Sequence, residues 1–191
     1  KPKTLKTSYG KTVTITTGNY GWKIDQAKET AALVSLIKNG EQTSREPEYS
    51  QKAASHSGND YGNTYVEINL TAQHLYLSDQ ITDILHGLRG VGVQPGVASG
   101  GSLVVQSDFV SGNAAKGWST PAGAYSITYK QRNATLKGQG YATPVSYWMP
   151  FNGGIGLHDA NWRKTFGGTI YKNGGSHGCV NLPPAVAKTI Y

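Results

Sequence analysis

Gly174-Gly175-Ser176-His177-Gly178-Cys179-Val180-Asn181-Leu182 holds the only cysteine of a 191-residue chain, directly preceded by a His-Gly pair. Four of the six residues from Gly174 to Cys179 are Gly or Ser, and a backbone without Cβ atoms can come close to a ligand. His177 and Cys179 stand two apart, so an extended backbone would put both on one face. The thiolate is the reactive form, and a neighbouring imidazolium or exposed N–H groups lower a thiol's pKa. A free cysteine is otherwise a small buried hydrophobe. The glycine-lined His-Gly-Cys setting argues for a reactive one.

Two histidines stand upstream as partners for that thiol, His177 itself and His158, and no histidine follows Cys179. His158 ends a short apolar strand, Gly153-Gly154-Ile155-Gly156-Leu157-His158-Asp159. One cysteine and scattered histidines do not supply three or four ligands at zinc spacing. A serine hydrolase elbow, Gly-x-Ser-x-Gly, is absent. What remains is a cysteine nucleophile with a histidine base. Papain-type peptidases place their cysteine before the histidine, the reverse of the order here.

Further outward, the pattern is of strands. Pro144-Val145-Ser146-Tyr147-Trp148-Met149-Pro150-Phe151 sets large side chains between two prolines and reads as core more readily than as surface. Pro121 and Gly123 mark a bend, after which Tyr125-Ser126-Ile127-Thr128-Tyr129 reads as a strand. Tyr65-Val66-Glu67-Ile68-Asn69-Leu70 alternates strictly and turns at Thr71-Ala72-Gln73 into a second strand, His74-Leu75-Tyr76-Leu77. Leu103-Val104-Val105 and Phe109-Val110 resume strand character. Ile81 to Gly101, with six glycines, reads as a long irregular excursion. His74 and His86 have no acidic or thiol companion at ligand spacing and receive no role.

The first sixty residues read as a small companion unit. Lys11-Thr12-Val13-Thr14-Ile15-Thr16 is strand-like. A helix follows, with Asp25 as N-cap, Leu33, Leu36 and Ile37 on one face, and Asn39-Gly40 as its stop. Glu41 to Asn63 is polar and reads as an irregular strand leading into a linker, with His56 solvated. Internal repeats and βαβ alternation are absent, so the fold class is mainly β with a few helices, and its sheets antiparallel.

Composition bounds the rest. Charged residues are 15% and hydrophobic ones 37%, with 25 glycines and 12 tyrosines, as in a loop-rich β protein. The net charge of +7 and pI near 9.4 suit a polyanionic neighbourhood. Lys and Arg are scattered rather than clustered, which argues against nucleic acid. No apolar run approaches the roughly 20 residues of a membrane span, and no signal-peptide core is present.

With these residues in view, the chain resembles the L,D-transpeptidases of bacterial peptidoglycan, whose YkuD-type domain carries a histidine, a spacer, then Ser/Thr-His-Gly-Cys, a hydrophobic residue and Asn. Here that reads His158, a spacer of 17 residues, and Ser176-His177-Gly178-Cys179-Val180-Asn181. The hairpin from Tyr65 to Leu77, the Thr120-Pro121-Ala122-Gly123 bend and Tyr147-Trp148-Met149-Pro150, a segment common in Gram-positive members, also match. The resemblance spans residues 61–191 and implies an antiparallel β-sandwich or barrel-like catalytic domain behind a small α+β, wall-associated unit at residues 1–60. It implies Cys179 as nucleophile and His158 as base, the imidazole oriented by Ser176 or the Asp159 carbonyl. The N–H groups of His177, Gly178 and Cys179 would form the oxyanion hole, and Asn181, Tyr147, Trp148 and Gly154 would contact substrate. On the residues alone, His177 competes for the base.

The implied reaction releases the terminal D-alanine of a tetrapeptide stem and passes the acyl group to the amine of a second stem, or to water in an L,D-carboxypeptidase. No cofactor or metal is expected, carbapenems would acylate the same thiol, and nucleic acid is not expected as a partner. The enzyme would act outside the cell at the wall, with any anchor upstream of Lys1. In the family a closing strand follows the helix after the motif, and the sequence stops at Tyr191, so the last strand is expected to be lacking. A wall-binding protein with a vestigial centre is the non-catalytic alternative, though the motif residues are intact. A sortase-like enzyme would need an arginine after the cysteine, and none follows.

Overall fold

The computed structural model describes residues 3–56, 60–62, 64–79, 97–98, 101–138 and 140–191. The chain divides into two compact units, Tyr20–Gly62 and the remainder, Lys1–Asn19 with Asn63–Tyr191. Strands β1 (Lys3–Lys6) and β2 (Thr12–Ile15) form an antiparallel hairpin. The boundary read from the sequence put this hairpin in the first unit; its bonds run to the second. Ser8 donates from its backbone N–H, at 2.9 Å, and its hydroxyl, at 2.7 Å, to the buried carboxylate of Glu67. Ala124 N–H donates to the Thr17 carbonyl at 3.0 Å, and the Thr17 hydroxyl donates to the Ala122 carbonyl at 2.9 Å. Side chains fifty and more residues away hold the hairpin, which local patterning does not reveal.

In the smaller unit, β3 (Lys23–Ile24) pairs with β4 (Tyr49–Gln51), and helix α1 (Gln26–Asn39) lies between them in sequence. Asp25 caps α1 by accepting from Lys28 N–H, and Gly40 ends it at φ 66°, both as expected from the cap residues. The apolar face is thin: Ile37 is 78% exposed and Leu33 47%. His56 is not simply solvated, because its ring stacks on Trp22 with centroids 3.6 Å apart.

The larger unit is built on two four-stranded sheets. The first runs β5 (Tyr65–Asn69), β6 (His74–Asp79), β8 (Gly101–Asp108), β7 (Val97–Ala98), all antiparallel. The second runs β12 (Val180–Leu182), β11 (Ile155–Asp159), β10 (Tyr141–Asn152), β9 (Gln131–Gly138). Helix α2 (Ile170–Gly174) precedes β12 and α3 (Pro184–Ile190) follows it. One core joins the sheets: Leu75 and Leu77 from β6, Met149 from β10, Leu157 from β11, Val180 and Leu182 from β12, with Phe109, Ala187 and Ile190. The mainly β class is as expected, with one departure. β11 and β12 pair in parallel, setting Leu157 against Val180 and His158 against Asn181.

Two other expectations are corrected. Tyr125–Tyr129 is not a strand. Thr128 N–H reaches the Pro150 carbonyl at 2.8 Å, but proline has no N–H to return, so no ladder develops; the strand forms next, as β9. His74, left without a companion by its sequence neighbours, meets Asp108 across β6 and β8, Nδ1 to carboxylate at 2.6 Å. His86 and nearly all of the Ile81–Gly101 excursion lie outside the described residues.

A cradle for the cysteine loop depends on Gly112. A Cβ there would stand 1.8 Å from the Trp118 carbonyl oxygen and 2.9 Å from the Gly178 Cα. Gly112→Ala should therefore cost about 4 kcal/mol of stability, at the upper end for one substitution. Gly154→Ala, whose Cβ meets nothing within 4 Å, should stay within about 0.5 kcal/mol. Urea unfolding of the two variants checks the contrast.

Candidate active site

Strand alternation sorts the residues around β11 and β12 into core and site. Leu157, Val180 and Leu182 enter the core between the sheets, so His158, Cys179 and Asn181 project from the opposite face. There Cys179 packs with Trp148, Ala134 and Val145 in a second cluster. Trp148, His158 and Asn181 are register partners on β10, β11 and β12, and the Trp148 and His158 rings lie 6.0 Å apart.

The loop carrying the thiol is bonded on every side. Gly178, at φ 121°, is left-handed and breaks the extended geometry that would align His177 with Cys179. The Ser176 hydroxyl donates to the Cys179 carbonyl at 2.5 Å and accepts from Gly178 N–H at 3.1 Å. The Thr120 hydroxyl donates to the Gly178 carbonyl at 2.6 Å and accepts from Gly112 N–H at 3.0 Å. Ser176 N–H donates to the Ser111 carbonyl, and the Ser176 carbonyl accepts from Asn113 N–H. Behind this layer the fully buried Gln73 accepts from Ser111 N–H at 2.9 Å and donates to the Ser111 hydroxyl at 2.8 Å.

The thiol and the imidazole are both held toward their neutral forms. Cys179 Sγ faces the Gly154 carbonyl at 3.7 Å. Burial pushes its pKa up, and the Gly156 N–H opposes this more weakly. His158 is 4% exposed, and burial pushes its pKa down against a bond to Asp159. That bond joins His158 Nδ1 to the Asp159 carbonyl at 2.8 Å, so Nδ1 carries the hydrogen. The hydrogen-bond network assigns the Asn181 amide: its oxygen accepts from Arg163 Nε at 2.8 Å and its NH2 donates to His158 Nε2 at 3.1 Å.

Most of the expected site residues converge, with distinct placements. His158 lies beside Asn181 and over Trp148; Gly154 faces the sulfur; Asp159 gives its carbonyl to His158, while its carboxylate accepts from Tyr147 N–H at 2.8 Å. Ser176 braces the loop rather than touching the imidazole. The Tyr147 ring packs toward the main core and Tyr191, so it is not brought to the thiol's face. His177 is exposed and stacked between Trp118, at 4.2 Å, and Tyr141, at 4.8 Å. Trp118, Tyr141 and Arg163 escaped the sequence reading because their relevance lies in contacts across the fold. Thr120 was visible only as part of a bend. Among the described residues no group of three His, Cys, Asp or Glu could hold a metal ion, and no helix is long and apolar enough to cross a membrane.

The L,D-transpeptidase catalytic domain (YkuD) model matches residues 63–191. Among solved structures, a mutant L,D-transpeptidase of Enterococcus faecium is 31% identical over 100% of this chain and 69% of its own, with a TM-score of 0.74. The carbamoyl enzyme formed by Ldtfm with avibactam is 32% identical over 100% of this chain and 68% of its own, with a TM-score of 0.73. The catalytic domain of the E. faecium enzyme acylated by ertapenem is 35% identical over 66% of this chain and 86% of its own, at 0.50. No curated protein sequence matches significantly.

With the Cys179 pKa raised and that of His158 lowered, the thiolate–imidazolium pair is a minor species near neutrality. The rate of iodoacetamide alkylation should therefore climb with pH and level only above the usual cysteine range of about 8.5. A reactive plateau beginning below about pH 7, as in an ion-paired thiolate, would contradict this reading.

Proposed function

This chain belongs to the L,D-transpeptidase family, and from that premise we propose that it cross-links peptidoglycan stems by acyl transfer through Cys179. The observation that carries the reading is the joint projection of Cys179 and His158 onto one sheet face, with the imidazole tethered through Nδ1. The thiol gives its proton to His158 as sulfur attacks the carbonyl of the third stem residue. The tetrahedral oxyanion falls to the N–H groups of His177 and Cys179, since that of Gly178 is committed to Ser176. Such donors act most strongly in a site that excludes water. His158 then returns the proton to the leaving amine of D-alanine, giving a thioester. The amine of a second stem attacks that thioester, His158 accepts its proton, and the thiol is restored. No cofactor enters any step.

Ertapenem presents a strained carbonyl to the same sulfur, and a structural relative is acylated by it. Incubation with ertapenem should add one drug mass to the intact protein and none to Cys179→Ala. His158→Ala should slow the addition by roughly 10²–10⁴-fold, as for loss of a general base. Labelling that survives in Cys179→Ala sinks the proposal.

We place the enzyme outside the cell at the wall, on the family's substrate and the net charge of +7. Attraction between exposed charges is screened by salt. The protein should therefore sediment with purified wall at low ionic strength and leave the pellet as salt is raised toward about 1 M. Binding indifferent to salt would remove charge as the cause.

A further inference from the structure

Arg163 stands five residues after His158, and the reaction just described gives it no part. Its guanidinium is half-buried and bonded on two sides. Nη2 donates to the Gly174 carbonyl at 3.0 Å. Nε, at 2.8 Å, and Nη2, at 3.3 Å, point at the Asn181 amide oxygen. A guanidinium has only donors, so the amide must turn its oxygen this way. Its NH2 is then left facing His158 Nε2 at 3.1 Å.

That orientation decides what His158 can be. Nδ1 faces a carbonyl at 2.8 Å and must carry hydrogen. Nε2 faces a donor and must present its lone pair. A proton on Nε2 would oppose N–H to N–H, and turning the amide to relieve this would aim its NH2 at the guanidinium. The set Asp159 carbonyl, His158, Asn181, Arg163 is therefore satisfied in one arrangement only, with a neutral imidazole. We propose that Arg163 is a positioning residue of the acyl-transfer site, a latch that holds the Asn181 amide and through it keeps His158 unprotonated on Nε2. This rests on the role of His158 as base.

The consequence for the reaction is directional. When the thiol proton arrives, Nε2 must exchange the Asn181 N–H for that proton. The imidazolium so formed then lies against an amide donor and within the field of Arg163, which disfavours the charged ring. Asp159, adjacent in the chain, acts in the opposite sense. The Cys179 thiol projects from the same sheet face, and so does the Tyr129 hydroxyl, which accepts from the Trp148 indole N–H at 3.3 Å. A latch of this kind prevents the proton from resting on His158 and favours its return to the leaving amine.

The test is the protonation state of His158, read from long-range 1H–15N NMR of the full chain labelled at histidine and assigned with His158→Gln. The wild type should show a neutral ring with hydrogen on Nδ1 at pH 7. In Arg163→Met, which removes the donors to the Asn181 side-chain oxygen, the His158 midpoint should rise by about one pH unit, a tenfold change in protonation constant. Asn181→Asp keeps the bond to Arg163 but gives Nε2 an acceptor, and should raise the midpoint in a chain whose loop tie to Gly174 is untouched. An Nε2–H tautomer in the wild type overturns the proposal. So does a His158 midpoint unmoved in Arg163→Met, whatever Asn181→Asp shows and even if Arg163→Met melts earlier, since Arg163 would then only tether the loop. Ertapenem acylation of the same samples separates the two readings. A wild type that is never acylated but shows the Nδ1–H ring and the expected shifts supports the latch and counts against acyl transfer alone.

Discussion

Parallel pairing of β11 with β12 is the constraint on which both halves of this domain depend. Its register sets Leu157 beside Val180 and His158 beside Asn181, so one strand pair feeds the core with one face and the site with the other. A slip of one residue would exchange the faces. Were β12 the strand that slipped, it would drive Asn181 among Leu75, Phe109 and Met149 and strand Val180 over Trp148. The register is pinned by the reciprocal backbone bonds of Val110 and Asn181, at 2.9 and 3.0 Å. It is pinned again by the bond from Ala160 N–H to the Leu182 carbonyl at 2.9 Å. The placing of His158 beside Asn181 and the packing of the core thus stand or fall together.

The loop before β12 answers a different demand, that of delivering a thiol from irregular backbone in a partly buried place. Buried N–H and carbonyl groups need partners, and here short side chains from distant segments supply them. Ser176 and Thr120 each accept one N–H and donate to one carbonyl. Gly112 and Gly175 let the facing segments approach so closely that a Cβ at either would meet backbone within 2.6 Å. The hydroxyls and glycines of the motif shape the loop, and the proposed chemistry is left to Cys179 and His158.

Much of this was legible where the signal is local. Asp25 and Gly40 bound α1 because capping is decided within four residues. Tyr65–Leu77 showed its hairpin through strict alternation, and the Ser-His-Gly-Cys stretch with His158 upstream marked the candidate site. What could not be read depends on partners far along the chain. The tie of Ser8 to Glu67 spans 59 residues, and that of Thr17 to Ala122 spans 105. His177 looks like a base beside Cys179 until the left-handed Gly178 turns the chain and the exposed ring stacks on Trp118 and Tyr141. The stretch from Tyr125 alternates like a strand, yet its neighbour offers a proline where a ladder needs an N–H.

Keeping Cys179 as a thiol has a further effect, on the lifetime of the enzyme. Peroxide attacks the thiolate, and the sulfenic acid it forms is rescued most readily by a second thiol nearby. This chain has no second cysteine, so a sulfenic acid here could not close an internal disulfide and would stand exposed to irreversible over-oxidation. Partial burial of Cys179, with Sγ facing the Gly154 carbonyl, holds the sulfur toward its thiol form and withholds the oxidisable thiolate. The same desolvation that makes the thiol slow to ionise therefore serves as its antioxidant protection.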